Sequence, residues 1–160
     1  MDKKEIEFLK ESNAIEREYS DEALQNAKQA WTMACLSSKE FNSIAYILGV
    51  HRRLMKRLNP RIAGKIRKCD VWVGDRKCLN PKEIMKCLEA WCKSYAKEKT
   101  EEGIKEAHIK FEKIHPFEDG NGRVGRILMN IQRLKVKLPI LIIHEGEEQM
   151  EYYKWFKEDI

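Results

Sequence analysis

At 160 residues, 42% of them hydrophobic, the chain is long enough to bury one core without a disulfide or metal staple and too short for two ordinary domains. Its 31 Lys and Arg against 26 Asp and Glu give a formal charge of +5 with the signs interspersed, which argues against a nucleic-acid partner; the nearest basic cluster, Arg52 to Arg61, is short enough to coat one helix. Five cysteines at 35, 69, 78, 87 and 92 match neither a disulfide framework nor paired zinc ligands, the N-terminus has no signal-peptide character and no apolar run reaches membrane length, so a soluble cytoplasmic protein with free thiols and no membrane partner is expected.

Capping signals predict helices along most of the chain. Met1-Asp2-Lys3-Lys4-Glu5 leads into a charge-rich helix, and Ser20-Asp21-Glu22 opens another with Leu24, Ala27, Trp31 and Ala34 at helical spacing. Ser37-Ser38-Lys39-Glu40 reads as a capping box ahead of Phe41, Ile44, Leu48 and Leu54, a segment that Asn59-Pro60 closes. Residues 71–79 break the rhythm. Val71-Trp72-Val73 and Lys77-Cys78-Leu79 flank Gly74-Asp75-Arg76 and predict a hairpin, which must rest on the helical body because two strands alone are marginal. Its outer strand would offer unpaired backbone groups to an extended peptide. Asn80-Pro81-Lys82-Glu83 supplies an N-cap, a proline at N1 and a glutamate at N3 before Ile84, Leu88, Trp91 and Tyr95. Thr100 starts a helix through Ile104, Ala107, Phe111 and Ile114; helical spacing resumes from Gly122 through Ile127, Leu128, Ile131 and Leu134, and a last helix covers Glu147 to Lys157. The class that follows is all-α with one small hairpin.

The run His115-Pro116-Phe117-Glu118-Asp119-Gly120-Asn121-Gly122-Arg123-Val124-Gly125-Arg126 concentrates the chemistry. Glycines on both sides of Asn121 let the backbone turn so that successive N–H groups point inward, and Arg123 and Arg126 add fixed positive charge around the same concavity, which makes an anion site. His115 can accept a proton, and Asp119 can hold a hard divalent cation beside a phosphate. Gly120-x-Gly122-x-x-Gly125 also spells the dinucleotide fingerprint, with Glu145 downstream, but a helical segment rather than a buried strand precedes it. A P-loop is excluded because Arg126-Ile127 stands where Lys-Ser or Lys-Thr is required. His51, His108 and His144 are read as ordinary hydrogen-bonded residues, and Phe117 as a core anchor.

At every specified position this run resembles the signature of Fic domains, His-x-Phe-x-(Asp or Glu)-Gly-Asn-Gly-Arg-x-x-Arg. Gly64-Lys65-Ile66-Arg67, the hairpin and Pro81 resemble the flap region that precedes it, with Ile66 where an aromatic is often found; the likeness runs from about Phe41 to the end. The resemblance implies a helical bundle with a β-hairpin flap and transfer of AMP from ATP to a Ser, Thr or Tyr hydroxyl of a target protein. It implies His115 as the base, Asp119 as the Mg²⁺ ligand, and Gly120, Asn121, Gly122, Arg123 and Arg126 as the phosphate site. Val71, Trp72, Val73 and Gly74 would form the target-docking flap. The family also includes phosphotransferases and members that remove AMP, and Gly122 favours nucleotidyl transfer because phosphotransferring relatives carry a larger residue there. A non-catalytic nucleotide-binding regulatory module is the remaining alternative. Relatives often associate through helical surfaces, which leaves a homodimer open.

Ser12-Asn13-Ala14-Ile15-Glu16-Arg17 resembles the inhibitory motif of many Fic proteins, (Ser or Thr)-x-x-x-Glu-(Gly or Asn), with Arg17 departing from it. That likeness implies that Glu16 pairs with Arg126 and occupies the arginine that would otherwise meet the γ-phosphate. An arginine forms a close bidentate pair with only one such group at a time. The expected organisation is a single compact domain, with N-terminal helices over 1–36, the inhibitory segment around 12–17, and a Fic core over 37–160.

Overall fold

Seven α-helices and one hairpin make up the computed structural model, which describes residues 1–157. The helices are α1 (Lys3–Ile15), α2 (Asp21–Leu36), α3 (Ile44–Met55), α4 (Ile84–Ser94), α5 (Glu101–Ile114), α6 (Asn121–Lys135) and α7 (Glu147–Lys154). Asp2 and Glu5 form a reciprocal capping box on α1, and the hydroxyls of Ser20, Ser43 and Thr100 accept from the third residue beyond them at the starts of α2, α3 and α5. Each cap satisfies a donor that the first turn leaves without a partner.

Several boundaries differ from expectation, among them the start at Asn80, which caps a 3-10 turn over Pro81–Glu83 before α4 begins at Ile84, and the end of α3 at Met55. Ser37 to Glu40 is no capping box: Ser38–Glu40 forms a single 3-10 turn, and Ser43 starts α3 by accepting from Tyr46 N–H at 3.1 Å. Arg76 belongs to the second strand, since β1 (Trp72–Val73) pairs antiparallel with β2 (Arg76–Lys77) across Gly74-Asp75 alone. Gly74 carries the left-handed φ of 63° at that turn. The last helix stops at Lys154, short of Lys157.

Central in the bundle is α6, buried on nearly every face from Asn121 to Arg133. It lies against α5, and α1, α2 and α3 also pack on it. Most of the polar side chains on a helix wrapped this completely need partners within the protein. Asn130 finds them by clamping Leu141, its Oδ1 accepting from Leu141 N–H at 2.8 Å and its Nδ2 donating to Leu141 C=O at 3.0 Å. Gln132 donates to Tyr95 C=O, and Arg133 to Pro139 C=O and Glu101. The core around α6 includes Trp31, Phe41, Trp91, Phe111 and Phe117, all essentially solvent-free; truncating one such ring costs about 3–5 kcal/mol.

α1 is fastened by Phe8, which meets Trp31 edge to face with centroids 5.3 Å apart, and by the Trp31 indole N–H donating to Glu5 at 2.9 Å. Its C-terminus closes with Arg17 N–H on Ala14 C=O and Glu18 N–H on Asn13 C=O, which puts Arg17 in the left-handed region at φ 56°. Glycine or asparagine normally fills that position. Arg17 therefore adopts the backbone of the residue types it replaces.

Candidate functional site

α5 delivers His115 and α6 begins at Asn121, so the five residues Pro116 to Gly120 turn the chain between two packed helices. His115 ends α5 in the left-handed region at φ 49°, and Gly120 precedes α6 at φ 87°. The interior of the turn is fixed by the Asn121 side chain, which accepts from Phe117 N–H at 2.9 Å and donates to Phe117 C=O at 2.8 Å. The Asn121 amide thus serves the loop itself and leaves only its backbone N–H for a ligand. Phe117 is fully buried and stacks on His51 at 3.7 Å between centroids, 8° from parallel.

His51 does more than fill the core. Its Nδ1 accepts from Gly64 N–H at 2.9 Å, so the other nitrogen carries the proton and donates to Asp119 C=O at 2.9 Å. Burial pushes its pKa down to about 4, keeping it neutral in this role. Arg67 is a second brace. Buried at 2% exposure, it donates from Nε to His115 C=O at 2.7 Å and from its terminal nitrogens to Cys69 C=O at 2.9 Å and Leu79 C=O at 2.7 Å. One guanidinium thus ties the His115 backbone to both roots of the hairpin. Arg67→Lys is expected to lower stability by about 2–4 kcal/mol in urea titrations, because one ammonium cannot meet three carbonyls in fork geometry and buried acceptors lose their donors. Wild-type stability in that variant would remove the brace.

His115 Nδ1 faces Glu112 C=O at 3.3 Å; the carbonyl can only accept, so Nδ1 bears the hydrogen and Nε2 keeps its lone pair. Burial lowers the His115 pKa below the usual imidazole value, with the Glu112 contact opposing and the Arg67 charge assisting. The neutral, proton-accepting form is the favoured one at neutral pH. His115, Gly122 and Arg126 open together into a cleft of about 900 Å³, whose other walls are Glu16, Glu112, Trp72 and Val73 of the hairpin, and Tyr152, Tyr153 and Phe156. At the mouth of α6 the first backbone N–H groups have no intrahelical partner and the helix dipole favours negative charge.

Among the described residues Arg126 is held from three directions. Its Nε donates to Ser12 Oγ at 2.8 Å, one terminal nitrogen to Ser12 C=O at 3.0 Å and Glu16 Oε1 at 2.8 Å, and the other to Tyr152 OH at 3.3 Å. Burial works against its charge, but Tyr152 and Glu16 more than offset that and raise its pKa. A Cβ on Gly122 would lie 2.5 Å from Glu16 Oε1 and 2.8 Å from the Arg126 guanidinium, so the pair requires glycine there. Arg123 is buried but under-satisfied. Only one terminal nitrogen reaches Asp119, at 3.5 Å, while Nε and the other terminal nitrogen have no partner among the described residues, and Arg123 does not line the cleft. A buried guanidinium with free donors is suited to an anion.

Asp119 is exposed and is not among the residues lining the cleft, one oxygen accepting from Gly120 N–H at 2.8 Å. No group of three or more His, Cys, Asp or Glu residues among the described residues could cage a metal. A lone carboxylate fits Mg²⁺, which binds through one or two carboxylates and completes its shell with phosphate and water.

Sequence inspection gave His51, Arg67, Glu112 and Tyr152 no part in this site. Glu112 stands one turn before His115 on the same helix; burial lifts its carboxyl to about 7, Arg126 opposing and Glu16 assisting, and its buried Oε1 has no partner among the described residues. Its i−3 spacing to His115 was the available signal. Tyr152 and His51 carried none, since their partners lie far along the chain. His108 is a buried histidine bonded to Tyr152 OH at 2.7 Å, and His144 bridges Glu7 and Glu148 at 2.7 Å each, ordinary bonded roles as expected.

Residues 40–132 match the Fic/DOC family. The chain is 33% identical over 144 residues to protein adenylyltransferase fic-1 of Caenorhabditis elegans, covering 86% of this chain and 28% of that protein. It is 30% identical over 135 residues to protein adenylyltransferase Fic of Aedes aegypti, covering 76% and 25%. The chain thus spans about a quarter of the length of these relatives. Among solved structures, a Fic-1 fragment from C. elegans superposes with a TM-score of 0.81 at 26% identity, covering 96% of this chain and 55% of that one. A Fic domain containing signaling protein from Bacteroides thetaiotaomicron shares the fold, with a TM-score of 0.79 at 20% identity.

Proposed function

The chain belongs to the Fic/DOC family, and from that membership we propose that it is a protein adenylyltransferase that moves AMP from ATP to a Ser, Thr or Tyr hydroxyl of a target protein. The observation that carries this is the shared cleft: an imidazole with a free lone pair, Gly122 in the first turn of α6 and a buried arginine border one cavity of nucleotide size. His115 Nε2 takes the proton as the hydroxyl oxygen bonds to the α-phosphorus and the bond from that phosphorus to pyrophosphate breaks. The N–H groups of Asn121 and Gly122 with Arg123 and Arg126 bind the phosphate oxygens and stabilise the departing charge, while Gly120, whose N–H is held by Asp119, supplies the turn. Asp119 holds Mg²⁺, which when bound neutralises phosphate charge. Tyr152, Tyr153 and Phe156 offer aromatic surface for the base.

Residues 1–36 serve as the regulatory segment and 37–160 as the core. In this arrangement Glu16 restrains the reaction by occupying Arg126. The relatives named protein adenylyltransferase support the reaction class. Mass spectrometry after incubation with Mg²⁺ and ATP tests it: an increase equal to one AMP per modified site supports the transfer. Label arriving from the γ-phosphate would make it a phosphotransferase, loss of AMP from a pre-modified target would make it the reverse enzyme, and ATP binding without turnover even after Glu16 is neutralised would leave a regulatory module.

The flap gives the target its grip. Val71 C=O accepts from Cys78 N–H at 3.0 Å, so the next pair, Trp72 with Lys77, turns its backbone groups outward. Trp72 and Val73 are exposed at 58% and 48%, and with Val71 and Gly74 they present an edge for an extended peptide. Trp72→Pro is expected to raise the KM for a target peptide about three- to tenfold above that of Trp72→Ala, the worth of one backbone hydrogen bond. Equal KM values would leave the hairpin a connector.

A further inference from the structure

We infer that an exposed basic face, running from the end of α3 through the loop before β1, docks an acidic segment of the protein substrate; this rests on the transfer to a protein hydroxyl proposed above. Between Glu40 and Asp70 the sequence has no Asp or Glu but eight Lys and Arg, and outside it 23 Lys and Arg stand against 26 Asp and Glu. The whole positive excess of the chain is therefore in this stretch, and the expected interspersion of signs holds only outside it. Only Arg67 of the eight is buried.

Helix electrostatics explains only part of the cluster. Arg52 and Arg53 occupy the last turn of α3, where the macrodipole favours cations, but that effect fades beyond the turn. Arg61, Lys65 and Lys68 lie in the loop, out of its reach. Of the seven exposed cations, Arg61 alone among the described residues has a carboxylate partner, Glu118 at 2.7 Å. An unbalanced field of this kind raises the local concentration of an oppositely charged partner and speeds its encounter.

The stretch is tied to the loop that carries the site. Glu118, which Arg61 holds, immediately precedes Asp119; His51, within the stretch, bonds Asp119 C=O; and Arg67 bonds His115 C=O. A partner resting here lies beside the loop that carries the base. No large exposed hydrophobic side chain falls between 41 and 69, so the face has neither the aromatic platforms that single strands stack on nor the apolar wedge that enters lipid. Carboxylates on a protein that must in any case reach His115 fit it best.

The test is fluorescence anisotropy of a labelled oligo-glutamate peptide with the full chain, without ATP. Binding is expected to weaken steeply with salt and to fall roughly tenfold or more when Lys56→Glu, Arg57→Glu and Lys68→Glu are combined, since reversal turns three exposed attractions into repulsions. The circular dichroism spectrum should be unchanged. No binding at low salt, or binding indifferent to the reversals, overturns the proposal. Tighter binding of a DNA duplex than of oligo-glutamate at equal ionic strength overturns it in favour of nucleic acid, and a concentration-dependent mass that the reversals abolish assigns the face to a second copy of the chain. These outcomes do not depend on nucleotide transfer, so failure of the reaction leaves them readable. A further arm reads the docking as substrate selection: a hydroxyl-bearing peptide flanked by glutamates is labelled faster than its alanine-flanked form, and the triple variant loses that preference.

Discussion

His115→Ala is expected to reduce transfer from α-labelled ATP by about 10²–10⁴-fold, the usual contribution of a positioned general base. The substitution has one structural side effect. His115 sits at φ 49°, where an ordinary L-residue such as alanine is strained by about 1–2 kcal/mol. His115→Asn answers that objection, because asparagine tolerates the left-handed region and its amide cannot take the proton. Both variants should be inactive while still folded, and labelling equal to wild type in either would remove the base from the mechanism. The pH profile carries the same assignment. Since burial lowers the pKa of His115, the lone pair on Nε2 is available throughout the neutral range. The rate should stay level as pH falls through the ordinary imidazole value near 6.5 and decline only below it. A decline that begins above pH 7 would contradict the buried, neutral ring.

Glu16→Gly is expected to raise labelling roughly 5- to 150-fold, the range of coupling between two groups that compete for one state. Arg126 now spends its contact with Glu16 Oε1 at 2.8 Å, and a phosphate oxygen needs the same nitrogen. Removing Glu16 leaves Ser12 Oγ and Ser12 C=O on the guanidinium, so α1 should remain docked while the competing carboxylate is gone. Stability should move the other way, down by about 1–3 kcal/mol, because a buried cation loses its carboxylate. Higher activity with lower stability, measured by labelling and urea denaturation on one preparation, separates release of a brake from general tightening of the fold. Unchanged labelling would mean that Glu16 stabilises Arg126 without restraining it.

What could be read from the chain alone depended on neighbours within about four residues. Thr100 and Ser20 announced their helices, Asn80-Pro81 the start of the segment leading into α4, and the twelve residues from His115 their glycine turn, because capping, periodicity and turn chemistry are local interactions. The same locality explains the failure at Ser37 to Glu40. Two serines six residues apart, Ser37 and Ser43, both satisfy the local rule for an N-cap, and Ser43 is the one whose hydroxyl caps α3.

The convergence of the site was decided by packing. Glu16 and Arg126 are separated by 110 positions, and His51 and Asp119 by 68, so no spacing rule relates them. Arg67 read only as part of a flap-like run until burial placed it beneath three carbonyls. Sequence by itself determined the helical class, the small hairpin and which short run bears the chemistry, since those follow from short-range backbone and side-chain preferences. Only the tertiary structure decided which lone pair of His115 faces the cleft, which side chains hold its loop, and that Tyr152 joins the expected Glu16 on Arg126, since those contacts exist only after α1, α5, α6 and α7 have buried their apolar faces against one another.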